Sequence, residues 1–150
     1  MQNFDIVRYL GRWWEIGKIP FKFQIDCDLS TADYTYNRNS INISNICYKN
    51  TRPVSIATGV AVPINNNGNF KIQFNKYTYN GIDLPFDNDG EYNVLYTDYI
   101  NISLVGSPGQ FWILSRNPVL DRSYIPLIKS VAINNGYDIN KININIRQLK

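Results

Sequence analysis

The chain has 150 residues and a formal net charge of +3, with 44% hydrophobic and 18% charged residues, which suits one domain with its own core and argues against disorder. Lys and Arg are scattered among Asn and Tyr, so nucleic acid is not expected as a partner, and no apolar run approaches bilayer length. Histidine is absent, which removes the usual general base, haem ligand and zinc ligand together; no metal or other cofactor is expected.

Period-2 alternation broken by Gly, Pro, Asn and Asp runs through most of the chain and predicts short antiparallel strands joined by hairpins. In chain order the strands are read as Trp13 to Ile19, Ala32 to Asn37, Ile41 to Tyr48, Val54 to Val62, Phe70 to Tyr77, Glu91 to Thr97, Asn101 to Gly106 and Phe111 to Ser115. Turns are marked by Asn39-Ser40, Asn67-Gly68, Asp89-Gly90 and Pro108-Gly109. From Ser123 to Asn135 the pattern changes: Ile125, Ile128, Val131 and Ala132 recur at helical spacing, with Ser123 as N-cap, Pro126 in the first turn and Gly136 just past the end. A last alternating segment, Ile142 to Ile146, is expected to pair with the first strand.

The fold class expected from this order is all-β: an eight-stranded antiparallel up-and-down barrel with one C-terminal α-helix and a short ninth strand, since closure removes exposed sheet edges. Such a barrel either holds one small ligand or is filled by its own side chains. Alternation alone does not choose between these outcomes.

Three motifs then converge. Phe4-Asp5 and Arg8-Tyr9-Leu10-Gly11-Arg12-Trp13-Trp14-Glu15-Ile16 resemble the opening of a lipocalin, with the Gly-x-Trp mark at Gly11 and Trp13. Thr97-Asp98-Tyr99 is similar to the family's second motif, and Phe111-Trp112-Ile113-Leu114-Ser115-Arg116-Asn117-Pro118 to its third. Within the family, the pattern resembles the branch of apolipoprotein D and the bacterial outer-membrane lipocalins.

The resemblance implies that the Trp13 indole plugs the closed end of the barrel, that Arg116 packs across its face, and that Asp98 holds backbone N–H groups in its turn. Gly11, Trp13, Asp98 and Arg116 are thus expected to form a structural base. Alternation from an inward Trp13 turns Glu15 and Gly17 inward and Trp14 and Ile16 outward. Aligned the same way, the ligand-binding wall is expected to comprise Tyr34, Tyr36, Ile43, Asn45, Ala57, Ile72 and Phe74 on the first strands. Tyr92, Val94, Tyr96, Ile102, Leu104, Trp112 and Leu114 would complete it. A slip of one residue inverts any strand's share of this set.

This lining suits a small hydrophobic or amphipathic ligand such as a fatty acid, lysolipid, terpenoid or pigment; the alternative is aromatic side chains filling the barrel. An inward Glu15 carboxylate needs a partner, expected to be a nearby Tyr or Arg116. Phe21-Lys22-Phe23 and Asp83-Leu84-Pro85-Phe86-Asp87 are candidate rim loops, the first serving as lid, plug or peripheral membrane contact.

Cys27 and Cys47 fall near each other across the hairpin around Asn39, where a disulfide is feasible, and family members with a Cys at the start of this strand commonly oxidise it. Two reduced thiols are the alternative, because spacing alone does not fix pairing. A bridge implies a secreted, periplasmic or outer-membrane-associated, or virion location; no signal peptide is expected in the chain as it stands. The expected activity is binding and transport by a monomer or weak dimer, not catalysis. A lipid-modifying or lipid-peroxide-reducing enzyme on the same barrel is the rival, weakened because neither Cys is expected on the inner wall beside a base. A surface-interaction module with a filled barrel is the third reading.

Overall fold

The computed structural model describes residues 3–19, 27–84 and 88–150. The Phe21-Lys22-Phe23 loop, and Pro85 to Asp87 of the second rim loop, lie outside them. The chain opens with a one-turn helix α1 (Ile6–Tyr9), whose first N–H groups are met by Asp5: its carboxylate accepts from the Arg8 N–H at 3.2 Å. Ten strands come after it: β1 (Gly11–Lys18), β2 (Leu29–Asn37), β3 (Ser40–Lys49), β4 (Arg52–Pro63), β5 (Asn69–Tyr79), β6 (Ile82–Leu84), β7 (Asn88–Thr97), β8 (Ile102–Ser107), β9 (Gln110–Ser115) and β10 (Asn143–Ile144).

Eight of them make the barrel, in the order β1-β2-β3-β4-β5-β7-β8-β9. It closes because β9 returns antiparallel to β1, with Trp14 opposite Ser115 and Lys18 opposite Trp112. The sheet therefore has no free edge around its waist. The two remaining strands are accessory. β10 pairs with Gly17 and Lys18 of β1, as the alternation predicts. β6 is an addition to the expected strand set, folding back on β5 through Asn80-Gly81, both at positive φ. Asn-Gly between two strands is a hairpin signature already present in the sequence.

The helix α2 (Ile125–Asn134) covers one outer face of the barrel. Its start differs in detail from the expected one. Asp121, not Ser123, caps the preceding turn Arg122–Tyr124 by accepting from the Ser123 N–H at 2.9 Å, and Pro126 sits in the first turn of α2, where no N–H is needed. Ile128 and Ala132 are buried against Ile16, Ile102, Leu104, Phe111 and Ile113. A second, separate cluster fills the closed end inside the barrel: Tyr9, Trp13, Tyr34, Phe70, Val94 and Val105 among others, with Phe4 packed on it from below.

Gly11 opens β1 at φ +101°, and a Cβ there would sit 3.3 Å from an Arg116 guanidinium nitrogen. Both facts favour the residue without a side chain. Gly11→Ala is expected to lower stability by about 1–3 kcal/mol, read as a fall in the urea midpoint at unchanged m-value; an unaltered midpoint would show that neither the backbone conformation nor the close approach matters.

Candidate functional site

The floor of the barrel is built from the three motifs together. Trp13 on β1 is fully buried, and the Arg116 guanidinium carbon lies 3.8 Å from the centre of its ring. The guanidinium also donates to three carbonyls, those of Tyr99 (3.0 Å), Arg12 (3.1 Å) and Arg8 (2.9 Å). One side chain thus joins the turn after β7, the start of β1 and helix α1. The indole N–H donates to the Tyr9 carbonyl at 3.0 Å, which fixes the ring edge-on to α1.

Asp98 holds the turn between β7 and β8. Its carboxylate accepts from the backbone N–H groups of Ile100, Asn101 and Ile102 and from the Asn101 amide. Partial burial opposes its ionisation, but these hydrogen bonds outweigh that and hold the carboxyl below its ordinary range.

Above this floor lies a cavity of about 990 Å³, ample for one small organic molecule. Of the expected wall, Tyr34, Ile43, Asn45, Ala57, Ile72, Phe74, Tyr92, Trp112 and Leu114 border it. Val94 does not; it is packed into the floor cluster with Trp13.

Four further residues lie elsewhere than alternation places them. Tyr36 is 50% exposed because β2 runs on past Tyr34, its last partner on β1, and its hydroxyl donates to Asn39 outside the barrel. Tyr96 faces outward because β7 carries a bulge between Val94 and Tyr96, which reverses the parity of the residues beyond it. Ile102 and Leu104 are also outward, under α2. On β8 every residue is buried, so both faces read as apolar and alternation carries no sign. Its inward residues are Ser103 and Val105, in contact with the floor cluster, and Ser107, which borders the cavity.

Other cavity residues escaped the sequence reading. Tyr77 and Tyr79 face inward because a second irregularity, between Thr58 and Gly59 of β4, shifts the pairing so that Phe74 faces Gly59 while Tyr77 faces Ala57. At the far end of the cavity from the floor are Ser30, Ser55 and Gln110. Glu15 is inward as expected, but its partner is neither Tyr nor Arg116: it pairs with Lys18 at 2.7 Å. The bulge between Glu15 and Gly17 brings both side chains to one side.

Cys27 and Cys47 are joined by a disulfide, with Cα atoms 5.5 Å apart. Both border the cavity, contrary to the expectation that neither reaches the inner wall; the bridge ties the chain entering β2 to the end of β3 at the rim.

The polar heart of the floor is a chain of hydroxyls. Ser103 Oγ lies 2.6 Å from Tyr9 Oη, which lies 2.7 Å from Tyr92 Oη, which lies 2.8 Å from Tyr34 Oη. Burial, only partly offset by these hydrogen bonds, pushes the Tyr9 phenol up to about 12, and burial raises Tyr34 and Tyr92 well above the ordinary phenol range. All three therefore stay protonated at physiological pH.

A closed eight-stranded cup, plugged by a Trp under an Arg and flanked by one helix, defines a class of binding barrels. A family model for a lipocalin-like domain matches residues 4–147, and the chain belongs to the lipocalin family. It is 33% identical over 156 residues to protein R877 of Acanthamoeba polyphaga mimivirus, named as a lipocalin, covering 93% of this chain and 83% of that one. It is 32% identical over 151 residues to mouse apolipoprotein D, covering 94% and 76%. Among solved structures, the amine-binding protein of Rhodnius prolixus in its tryptamine complex superposes with a TM-score of 0.74 at 13% identity, over 96% of this chain and 82% of that one, a likeness of fold.

The carboxylate at Asp98 offers a check on the base. A group whose folded pKa is depressed contributes stability above its unfolded value, about 3.9 for Asp, and loses that contribution as pH falls through the lower folded value. Asp98→Asn is therefore expected to be less stable than the wild type at neutral pH, with the gap narrowing as pH drops below about 4. A gap that stays constant with pH in parallel urea titrations would mean the carboxylate's charge plays no part.

Proposed function

We propose that this protein binds and carries one small hydrophobic or amphipathic molecule inside the barrel, by removing it from water and without catalysing its conversion. The observation that carries the reading is the cavity of about 990 Å³ bordered by Ile43, Ala57, Ile72, Phe74, Trp112 and Leu114, closed below by Trp13 and Arg116. Burial of a ligand's apolar surface there is worth about 25 cal/mol per Å² before the cost of immobilising it. The wall residues named from the sequence that border the cavity are the ones proposed to touch the ligand. Family membership supports the same reading, as does a structural neighbour solved with tryptamine.

A carrier rather than an enzyme is favoured by the chemistry available. Both cysteines are in the disulfide, which leaves no thiolate, and the sequence has no His to act as base. The disulfide also supports an oxidising location, whether secreted, periplasmic or virion-borne.

Titration with the neutral fluorophore N-phenyl-1-naphthylamine tests this. Saturable one-to-one binding with a blue-shifted emission is expected, weakened at least about tenfold, or about 1.4 kcal/mol, in Ala57→Trp, whose indole occupies the cavity, with its circular dichroism spectrum unchanged. No saturable binding by the wild type, or equal binding by the folded variant, would remove the proposal.

A further inference from the structure

The hydroxyl chain at the floor has a direction, and the direction selects a ligand. Each hydroxyl carries one proton and can accept from two neighbours, so four hydroxyls in series use three of their four protons in their three contacts and leave one proton over, on any one of the four. The four positions differ. Ser103 is fully buried, and among the described residues its Oγ is hydrogen-bonded to Tyr9 alone. A proton left over there would be a buried donor with no acceptor, which is unfavourable. Tyr9 is equally buried and is not among the described residues bordering the cavity, whereas Tyr34 and Tyr92 border it.

The lower-energy arrangements therefore share one direction: Ser103 donates to Tyr9 and Tyr9 to Tyr92, and the spare proton remains on Tyr34 or Tyr92 for whatever occupies the cup. Each link polarises the next, so the spare O–H is a stronger donor than an isolated phenol. The geometry holds it in place, since the Tyr34 and Tyr9 rings stack with centroids 5.6 Å apart at 13° and Tyr92 packs edge-on to Tyr34 at 6.0 Å.

No Lys or Arg is among the described residues that border the cavity, and Lys18, which reaches Glu15, is already paired. A carboxylate driven to the floor would lack a counter-charge and lose its hydration. A neutral oxygen acceptor, by contrast, needs only a hydrogen bond such as the floor hydroxyls supply.

We propose that the cup takes its ligand polar end down and selects a neutral molecule tipped by an oxygen acceptor, a ketone, aldehyde or ether oxygen, which accepts from the Tyr34 or Tyr92 hydroxyl. This rests on the carrier reading above and assigns the class of cargo and its orientation within it.

Three probes of nearly one shape test it: benzophenone, which offers a carbonyl acceptor; diphenylmethane, which offers neither donor nor acceptor; and diphenylamine, which offers an N–H donor. Each displaces N-phenyl-1-naphthylamine from the wild type and from Tyr34→Phe/Tyr92→Phe, a double variant chosen because either hydroxyl would present the spare proton if the other alone were changed. The affinity of benzophenone relative to diphenylmethane is expected to fall about tenfold in the double variant, the equivalent of one hydrogen bond of about 1.4 kcal/mol, while the relative affinity of diphenylamine stays within about twofold. The infrared carbonyl band of bound benzophenone is expected below its position in hexane for the wild type and near that position for the variant.

A benzophenone-to-diphenylmethane ratio that does not change would overturn the proposal, and so would a loss confined to diphenylamine, which would mean the chain runs the other way. Failure of all three probes to displace the bound fluorophore from the wild type would overturn this inference alone, whereas failure of the fluorophore itself to bind would overturn the carrier reading and this inference with it.

Discussion

The contact between the Arg116 guanidinium and the Trp13 indole, 3.8 Å apart, is the constraint on which the rest of this molecule depends. A closed sheet of eight strands is a tube, and a tube open at both ends would be flooded. Here a single cation, spent on one aromatic face and three backbone carbonyls, seals one end of the barrel. A half-buried cation over an aromatic ring is worth about 1 kcal/mol. The hydrogen bonds tie that energy to the positions of α1, β1 and the turn after β7. Once the floor is fixed, the wall above it can stay hollow.

The same floor supplies the only extended polar network in the interior of the described residues. Tyr9 belongs to it twice: its carbonyl accepts from Trp13 and its hydroxyl links Ser103 to Tyr92. Structural support and ligand chemistry thus meet on one side chain. The rim has a different character. The Cys27–Cys47 disulfide and the Glu15–Lys18 pair hold the ends of β1, β2 and β3 at the far end of the cavity, so rigidity is placed at both ends while the middle is lined by Ile43, Ala57, Ile72 and Phe74.

How much of this could be read from the sequence depended on whether each strand has one wet face. β2 and β3 do, and there Tyr34 and Ile43 fall inside as alternation requires. β8 is covered on both faces, by the interior on one side and by α2 on the other, so Ile102 and Leu104 carry the same apolar signal as true wall residues. Bulges were the second source of error. A single unpaired residue reverses everything downstream, which sends Tyr96 out and brings Tyr77 and Tyr79 in, and nothing in local composition announces it. Helix α1, one turn long, is too short to show a period. Tyr9 was visible within the first motif, but its role depends on Ser103 and Tyr92, each more than 80 residues away, and no pattern along the chain reports that meeting.

The central claim is that Arg116 and Trp13 act as one unit. A double-mutant cycle with Trp13→Leu, Arg116→Met and the pair, each measured by urea unfolding, isolates their coupling from the other losses each change brings. The account predicts that the two single changes together cost about 1 kcal/mol more than the double variant loses. Strictly additive losses would mean that the two side chains stabilise the floor independently, and that the indole–guanidinium seal is not what closes the cup.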